Sequence, residues 1–506
     1  MKAIKNILLV LAVLSGYACS NFDDLNSNPN AATEVTSSLL ATPLILDLTQ
    51  TGGTAVGFIA DNCLAKQMVW MEYLYNYNYN QLGRSSVGDY KQLINAQKMV
   101  DFAAEDYKQS YQALNLFLRA YKLFYHSMRL GDVPYSEALR GEEGILKPKY
   151  DTQEEVMKQV LNELEEASRL FNGAKNFSGD PVLGGNTAKW KKVTDAFRLK
   201  VLLYLSKKEN HAELKVKERF RSIVQSGSLM ESSDDNLQLV FSNKSGQIYP
   251  YNRQNSNHYY YCTVSSVIID MLKAYNDYRL FYFAQPAKTQ LDKGLASNDP
   301  EAYIGLDPVG DYSISQSLYS EGTYAAMGKR YTEVITGEPY IRVGYAEQNF
   351  ILAEAVLRGW IDGDAEAYYN KGIEASMKFT DENTPDDAMY HQGMKITDKY
   401  IQEYLASDVI KLTGDFNQKL KQIISQKYLT YYMQHPYDAY FEYRRTGYPE
   451  LPINPATNRN TEKDKMPVRW MYPTWEFDYN KENLEEAVNR QYGGVDDNNK
   501  IMWILQ

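Results

Sequence analysis

The sequence predicts a mainly α-helical scaffold with an irregular, loop-rich face, and two observations carry that prediction. Apolar residues recur at helical spacing between clear start and stop signals, and the stretches so marked are separated by long segments of Gly, Pro, Asn, Ser and Tyr without helical pattern. With 506 residues and 44% hydrophobic content the chain can fill a core, so bulk disorder is excluded.

Taken in chain order, Lys2 and Lys5 precede an unbroken apolar run from Ile7 to Leu14, too short to span a bilayer and read as an export signal. Ser15, Gly16 and Ala18 then lead into Cys19. A lipoprotein-type cut there would give Cys19 a lipid anchor; the competing reading is an ordinary signal peptide followed by a chance cysteine. Residues 1–18 are thus the signal, 19–35 a polar tether, and 36–506 one domain. Cys63 and Cys262 are the other two cysteines, and separate buried thiols are favoured over a bridge between them.

The first helical hairpin is expected over 91–130. In the second, over 154–208, Thr152 followed by Glu155 makes a capping box, Val156, Val160, Leu164, Ala167 and Phe171 form one stripe, and Gly173 stops the helix. Trp190, Val193, Phe197, Val201 and Leu205 line its return helix. A third pair places Ala346, Phe350, Ala353 and Leu357 before Gly359, and restarts near Asp364 to run past Ile373 to Met377. Such pairs look like tetratricopeptide units, of which roughly four build a curved scaffold. Segments 72–90, 238–262, 284–340 and 446–480 have no helical pattern, and loops of that length are usually functional.

The formal net charge of −10 is the wrong sign for gripping a polyphosphate, which excludes nucleic acid as a partner. His126, His211, His258, His391 and His435 share no metal-ligand spacing, and no nucleophile elbow or phosphate loop occurs, so neither catalysis nor a cofactor is indicated. The adjacent acids Glu142-Glu143 and Glu165-Glu166 cannot flank one glycosidic bond from opposite sides and are read as solvated.

Several stretches together resemble one family. Asn28-Pro29-Asn30, Gly131-Asp132-Val133-Pro134-Tyr135-Ser136-Glu137-Ala138, Pro148 to Val156, Phe350 to Ala355, Tyr437 to Pro449, and Pro467-Val468-Arg469-Trp470-Met471-Tyr472-Pro473 with Glu476, Asn480 and Asn483 are similar to landmarks of the SusD/RagB-type surface lipoproteins of Bacteroidetes, in their second SusD-like branch. The resemblance implies a helical SusD-like scaffold, Asp23 and Asp24 as part of a surface-export signal, a lipid-anchored place on the outer membrane, and a SusC-like TonB-dependent transporter as partner. It also implies a glycan ligand captured for import. A peptide ligand, or a structural lid without affinity of its own, are the alternative roles. Arg444 and Arg445, beside Glu442, could clamp a carboxylated sugar, but their place in a landmark implies a structural ion-pair and hydrogen-bond role, and the same applies to Glu347 and Glu354.

Sugar capture needs aromatic platforms beside amides and hydroxyls. From Trp70 to Gln81 the chain alternates these types, so Trp70, Tyr73, Tyr75, Tyr77, Asn78 and Tyr79 are candidate ligand contacts; an extended backbone would put rings on one side and amides on the other. The competing reading packs these rings into the core. A second candidate stretch, 248–261, contributes Tyr251. A third, Tyr312 to Tyr331, includes Gln316, Tyr319, Tyr324 and Arg330, of which Tyr319 and Tyr324 are selected.

Overall fold

The structure is a computed structural model that describes residues 35–50, 55–86, 90–255 and 258–506. Cys19 and the segments proposed as signal and tether, apart from Val35, lie outside these residues.

Helix Tyr90–Asp101 turns into the long helix Glu105–Leu130, which packs on Gln153–Phe171, and that helix packs in turn on Thr187–Tyr204. Helix Gln153–Phe171 begins where expected: the Thr152 side chain accepts from the Glu155 amide at 3.2 Å and the Glu155 carboxylate accepts from the Thr152 amide at 2.9 Å. Its whole predicted stripe is buried, as is the stripe from Trp190 to Leu205. Each large side chain so removed from water contributes about 1.5–3 kcal/mol. Gly173 follows at φ +78°, a left-handed conformation that reverses the chain cheaply only at glycine.

The third pair consists of Tyr345–Leu357 and Ala365–Glu382, with the Asp364 side chain capping the second helix through the Glu366 amide at 2.9 Å. Gly372 lets the two approach: a Cβ there would stand 2.9 Å from the Phe350 ring. Tyr345–Leu357 also packs on Thr187–Tyr204 and on Phe416–Thr430, joining the two halves of the scaffold. One apolar cluster runs through it from Ala41 to Leu505.

At that junction the landmark charges are buried together. Arg445 reaches Glu354 at 2.6 Å and Glu442 at 2.5 Å, Lys427 reaches Glu442 at 2.5 Å, and Arg358 reaches Glu354 at 2.8 Å. Nearby, Lys200 bridges Glu347 at 2.8 Å and Asp438 at 3.1 Å. Burial pushes the Glu354 carboxyl up, but Arg445 and its neighbours outweigh that and hold it at about 2. The structural role read for these residues therefore has a geometry.

Two short antiparallel ribbons complete the fold, Met68–Trp70 against Cys262–Val264 and Leu237–Leu239 against Tyr340–Val343. Cys63 and Cys262 are both free and buried; burial pushes the Cys63 thiol up to about 12, so it stays protonated. Several stretches depart from the loop reading, among them the short helices Lys288–Leu291, Lys329–Thr332 and Thr474–Tyr479 and two that bear on the site. Asn76–Tyr79 forms a 3-10 turn instead of extended chain, and Tyr312–Ser320 is an α-helix capped by Asp311. The second lacks an apolar stripe, with Ile314 exposed, so periodicity could not reveal it. Among the described residues no helix is long and apolar enough to cross a membrane.

Candidate functional site

The ribbon Met68–Trp70/Cys262–Val264 brings the three tyrosine-rich segments to one place. Past its end, the Met71 amide still donates to the Tyr261 carbonyl at 2.7 Å, so Glu72 onward and Tyr261 leave the ribbon side by side. The first strand's chain then folds back through the turn Asn76–Tyr79, closed by Asn80 at φ +60°. This turn is fastened from beneath through its main chain. The Lys66 ammonium donates to the carbonyls of Asn78 at 2.6 Å and Tyr77 at 3.2 Å, and Asn78 Nδ2 donates to the Trp70 carbonyl at 3.0 Å. Burial lowers Lys66 to about 7, against the opposing pull of the neighbouring Cys63 and Asp307. Below it, Tyr428 donates to the Ala65 carbonyl at 2.7 Å and Gln67 donates to the Tyr428 carbonyl at 3.0 Å.

The third segment is tied to the same turn: Tyr312 donates to the Met71 carbonyl at 3.3 Å, and Tyr79 donates to the Gly310 carbonyl at 3.2 Å. Val69, Met71 and Leu306 form a small apolar floor of their own, on which half-buried Tyr312, Tyr319 and Tyr324 pack. Where the two ribbon strands end, Tyr73, Tyr260 and Tyr261 are 46%, 60% and 36% exposed. The buried Trp70 ring lies 5.8 Å from Tyr73 and 6.3 Å from Tyr261, between segments distant in sequence. The Tyr259 ring is tilted against Tyr260 with 3.9 Å between centroids. Burial pushes the Tyr319 hydroxyl up to about 12, so this face offers neutral donors and acceptors at physiological pH.

The candidate residues separate accordingly. Tyr73 is exposed, Tyr75 is half-buried beside Trp70, and Tyr319 and Tyr324 are half-buried on the floor. Tyr77 is half-buried against Trp470, whose Nε1 donates to its hydroxyl at 3.4 Å. Trp70, Asn78 and Tyr79 are corrected to supporting positions, because all three are buried and work through the backbone or through ring packing. Tyr251 is fully buried and belongs to the core, so a stacking role there is withdrawn. Arg330 is also buried, in an ion pair with Glu338 at 2.5 Å. Tyr260 and Tyr261 were not singled out, although the run Tyr259-Tyr260-Tyr261 held a signal: three consecutive large rings cannot all point inward. Among the described residues no group of three His, Cys, Asp or Glu is placed to hold a metal ion.

Comparison with known proteins agrees with this architecture. A family model, SusD-like, described as starch-binding and associating with the outer membrane, matches residues 29–473. A SusD homolog from Bacteroides fragilis is 53% identical with a TM-score of 0.91, covering 93% of this chain and 100% of its own. A candidate outer membrane protein for nutrient binding from Bacteroides vulgatus is 33% identical with a TM-score of 0.83, covering 93% and 100%. A chitin-binding SusD homolog from Flavobacterium johnsoniae shares the fold at 19% identity and a TM-score of 0.70, covering 93% and 98%. No curated protein matches.

Proposed function

Since this chain belongs to the SusD-like family of outer-membrane nutrient-binding proteins, which are not enzymes, we propose that it captures an oligosaccharide at the cell surface and passes it to a SusC-like TonB-dependent transporter. One observation carries the glycan reading: Tyr73, Tyr260 and Tyr261 are exposed where the ribbon's two strands end, and Tyr312, Tyr319 and Tyr324 lie half-buried on an apolar floor formed in part by Val69 and Met71 of the first strand's run. Rings offer flat apolar surface to the C–H faces of a pyranose, and neutral hydroxyls exchange hydrogen bonds with sugar hydroxyls. The chitin-binding relative supports a glycan as the class of ligand.

Isothermal titration against a panel of neutral oligosaccharides tests this. Saturable binding to at least one, weakened by Tyr260→Ala, is expected. A panel without binding, together with tight binding of a peptide library, would replace the glycan by a peptide. The anchor is proposed at Cys19: Cys19→Ser should move the folded protein from the membrane to the soluble fraction, since the described apolar core is built from Ala41 to Leu505. Partnership with the transporter is checked by gentle detergent extraction, which should recover a large β-barrel protein with this chain.

A further inference from the structure

A second cavity, of about 200 Å³, opens where the landmark after helix Glu105–Leu130 meets the segment 472–476. It shares no lining residue with the tyrosine face. Tyr90, Tyr150, Tyr472 and Trp475 contribute rings to its wall, Leu139 stands at it, and the Glu476 carboxyl lines it as well. Trp475 and Leu139 are 43% and 40% exposed, so the cavity is reachable from solvent.

The hydroxyls of the three tyrosines are already engaged. Tyr90 donates to the Pro134 carbonyl at 2.8 Å, Tyr472 donates to the Asp132 carbonyl at 2.8 Å, and Tyr150 donates to Glu476 itself. The remaining surface is therefore π-surface, with Tyr150 and Tyr472 nearly perpendicular at 5.6 Å between centroids and Tyr90 backed by the His126 ring at 5.2 Å. A sugar, which needs free hydroxyls and amides, has little to bond here. Glu476 is the exception in this apolar setting. It is 8% exposed, burial pushes its carboxyl up, and among the described residues no cation forms an ion pair with it. A buried carboxylate without a counter-ion is costly, and a cation brought to it among electron-rich rings gains from both.

We infer that this cavity takes an alkylammonium head group, with Glu476 as counter-ion and the four rings as its cation–π wall. Two sources share that chemistry: a small soluble ammonium compound and a lysine side chain of a partner protein.

The test titrates the full chain by ligand-observed NMR with choline and with Nα-acetyl-lysine methylamide, each beside its neutral analogue, 3,3-dimethylbutan-1-ol or the Nε-acetylated lysine. At least one cation should bind about tenfold more tightly than its analogue, the scale of a desolvated cation–π contact. The better of the two assigns the source. Glu476→Gln keeps an acceptor for Tyr150 and removes the charge, so it should abolish the preference while the protein stays folded. Trp475→Ala, at an exposed position, should weaken the cation by a similar factor and keeps the test decisive if the first variant does not fold. Equal binding of the neutral analogues, no saturation by either cation, or undiminished binding by both variants overturns the inference.

Discussion

The charged knot around Arg445 and the tyrosine face solve opposite problems. In the knot, Arg445, Lys427, Glu354 and Glu442 are all taken out of water, and each has its partner within 2.6 Å. The face is built from uncharged rings, and beneath its turn Lys66 is held by carbonyl oxygens. Desolvated charges tolerate one geometry, since any lost partner leaves a naked ion. Neutral hydroxyls at a surface can trade water for ligand at little net cost. The comparison teaches that rigidity and recognition have been assigned to different chemistry in one chain, so substitutions should separate them.

The largest effect is expected from Arg445→Met. Leaving Glu354 and Glu442 buried without it should cost about 3–5 kcal/mol, read by urea denaturation, while glycan affinity of the remaining folded protein is unchanged. Loss of affinity without loss of stability would break the division. Next comes acid. Glu354 is held at about 2 in the folded state against an ordinary value of 4.5, so its contribution is complete above pH 4.5 and disappears as pH falls through about 2. That contribution is on the order of 3 kcal/mol, and Glu354→Gln should flatten this part of the pH–stability curve.

On the other side, Tyr260→Ala or Tyr73→Ala should cost about 1–3 kcal/mol of binding free energy, the scale of one aromatic hot spot, with a stability change within roughly 0.5 kcal/mol because both rings are exposed. Tyr251→Ala is the internal control: a fully buried ring, it should lower the melting temperature strongly and leave the affinity of folded protein alone. A second pH effect concerns Lys66. Its folded value of about 7 lies below the ordinary 10.5, so the unfolded chain binds more protons between those limits and stability should rise with pH across them. The slope cannot exceed about 1.4 kcal/mol per pH unit, and Lys66→Met should remove it.

What could be read beforehand follows the same division. The scaffold was legible because helices advertise themselves: Thr152 with Glu155, the stripe from Val156 to Phe171, Gly173 and Gly359 each have a local cause that needs no knowledge of the rest of the chain. The structural role of Arg445 and Glu442 as an ion pair, and of Arg444 as a donor to the Val468 and Met128 carbonyls, is implied by the family landmark, and no spacing would have joined Arg445 to Glu354, 91 residues away. The face was legible only as a set of segments. Tyrosine serves core and surface equally well, so composition could not tell Tyr251, buried, from Tyr260, exposed nine positions later in the same stretch. What decides between them is the pairing of Met68–Trp70 with Cys262–Val264, a contact across nearly two hundred residues that leaves no periodic trace.

The fastening of the turn Asn76–Tyr79 has a consequence for descent. Lys66 and Asn78 grip carbonyl oxygens, and Tyr428 holds the strand's approach by the Ala65 carbonyl. Since every residue type supplies the same carbonyl, the rings displayed above can be exchanged over generations without disturbing what carries them. On the glycan-binding role proposed above, a lineage meeting a new nutrient can therefore change its menu by substitutions at Tyr73 and Tyr75, which lead into this turn, and inherit the mount intact.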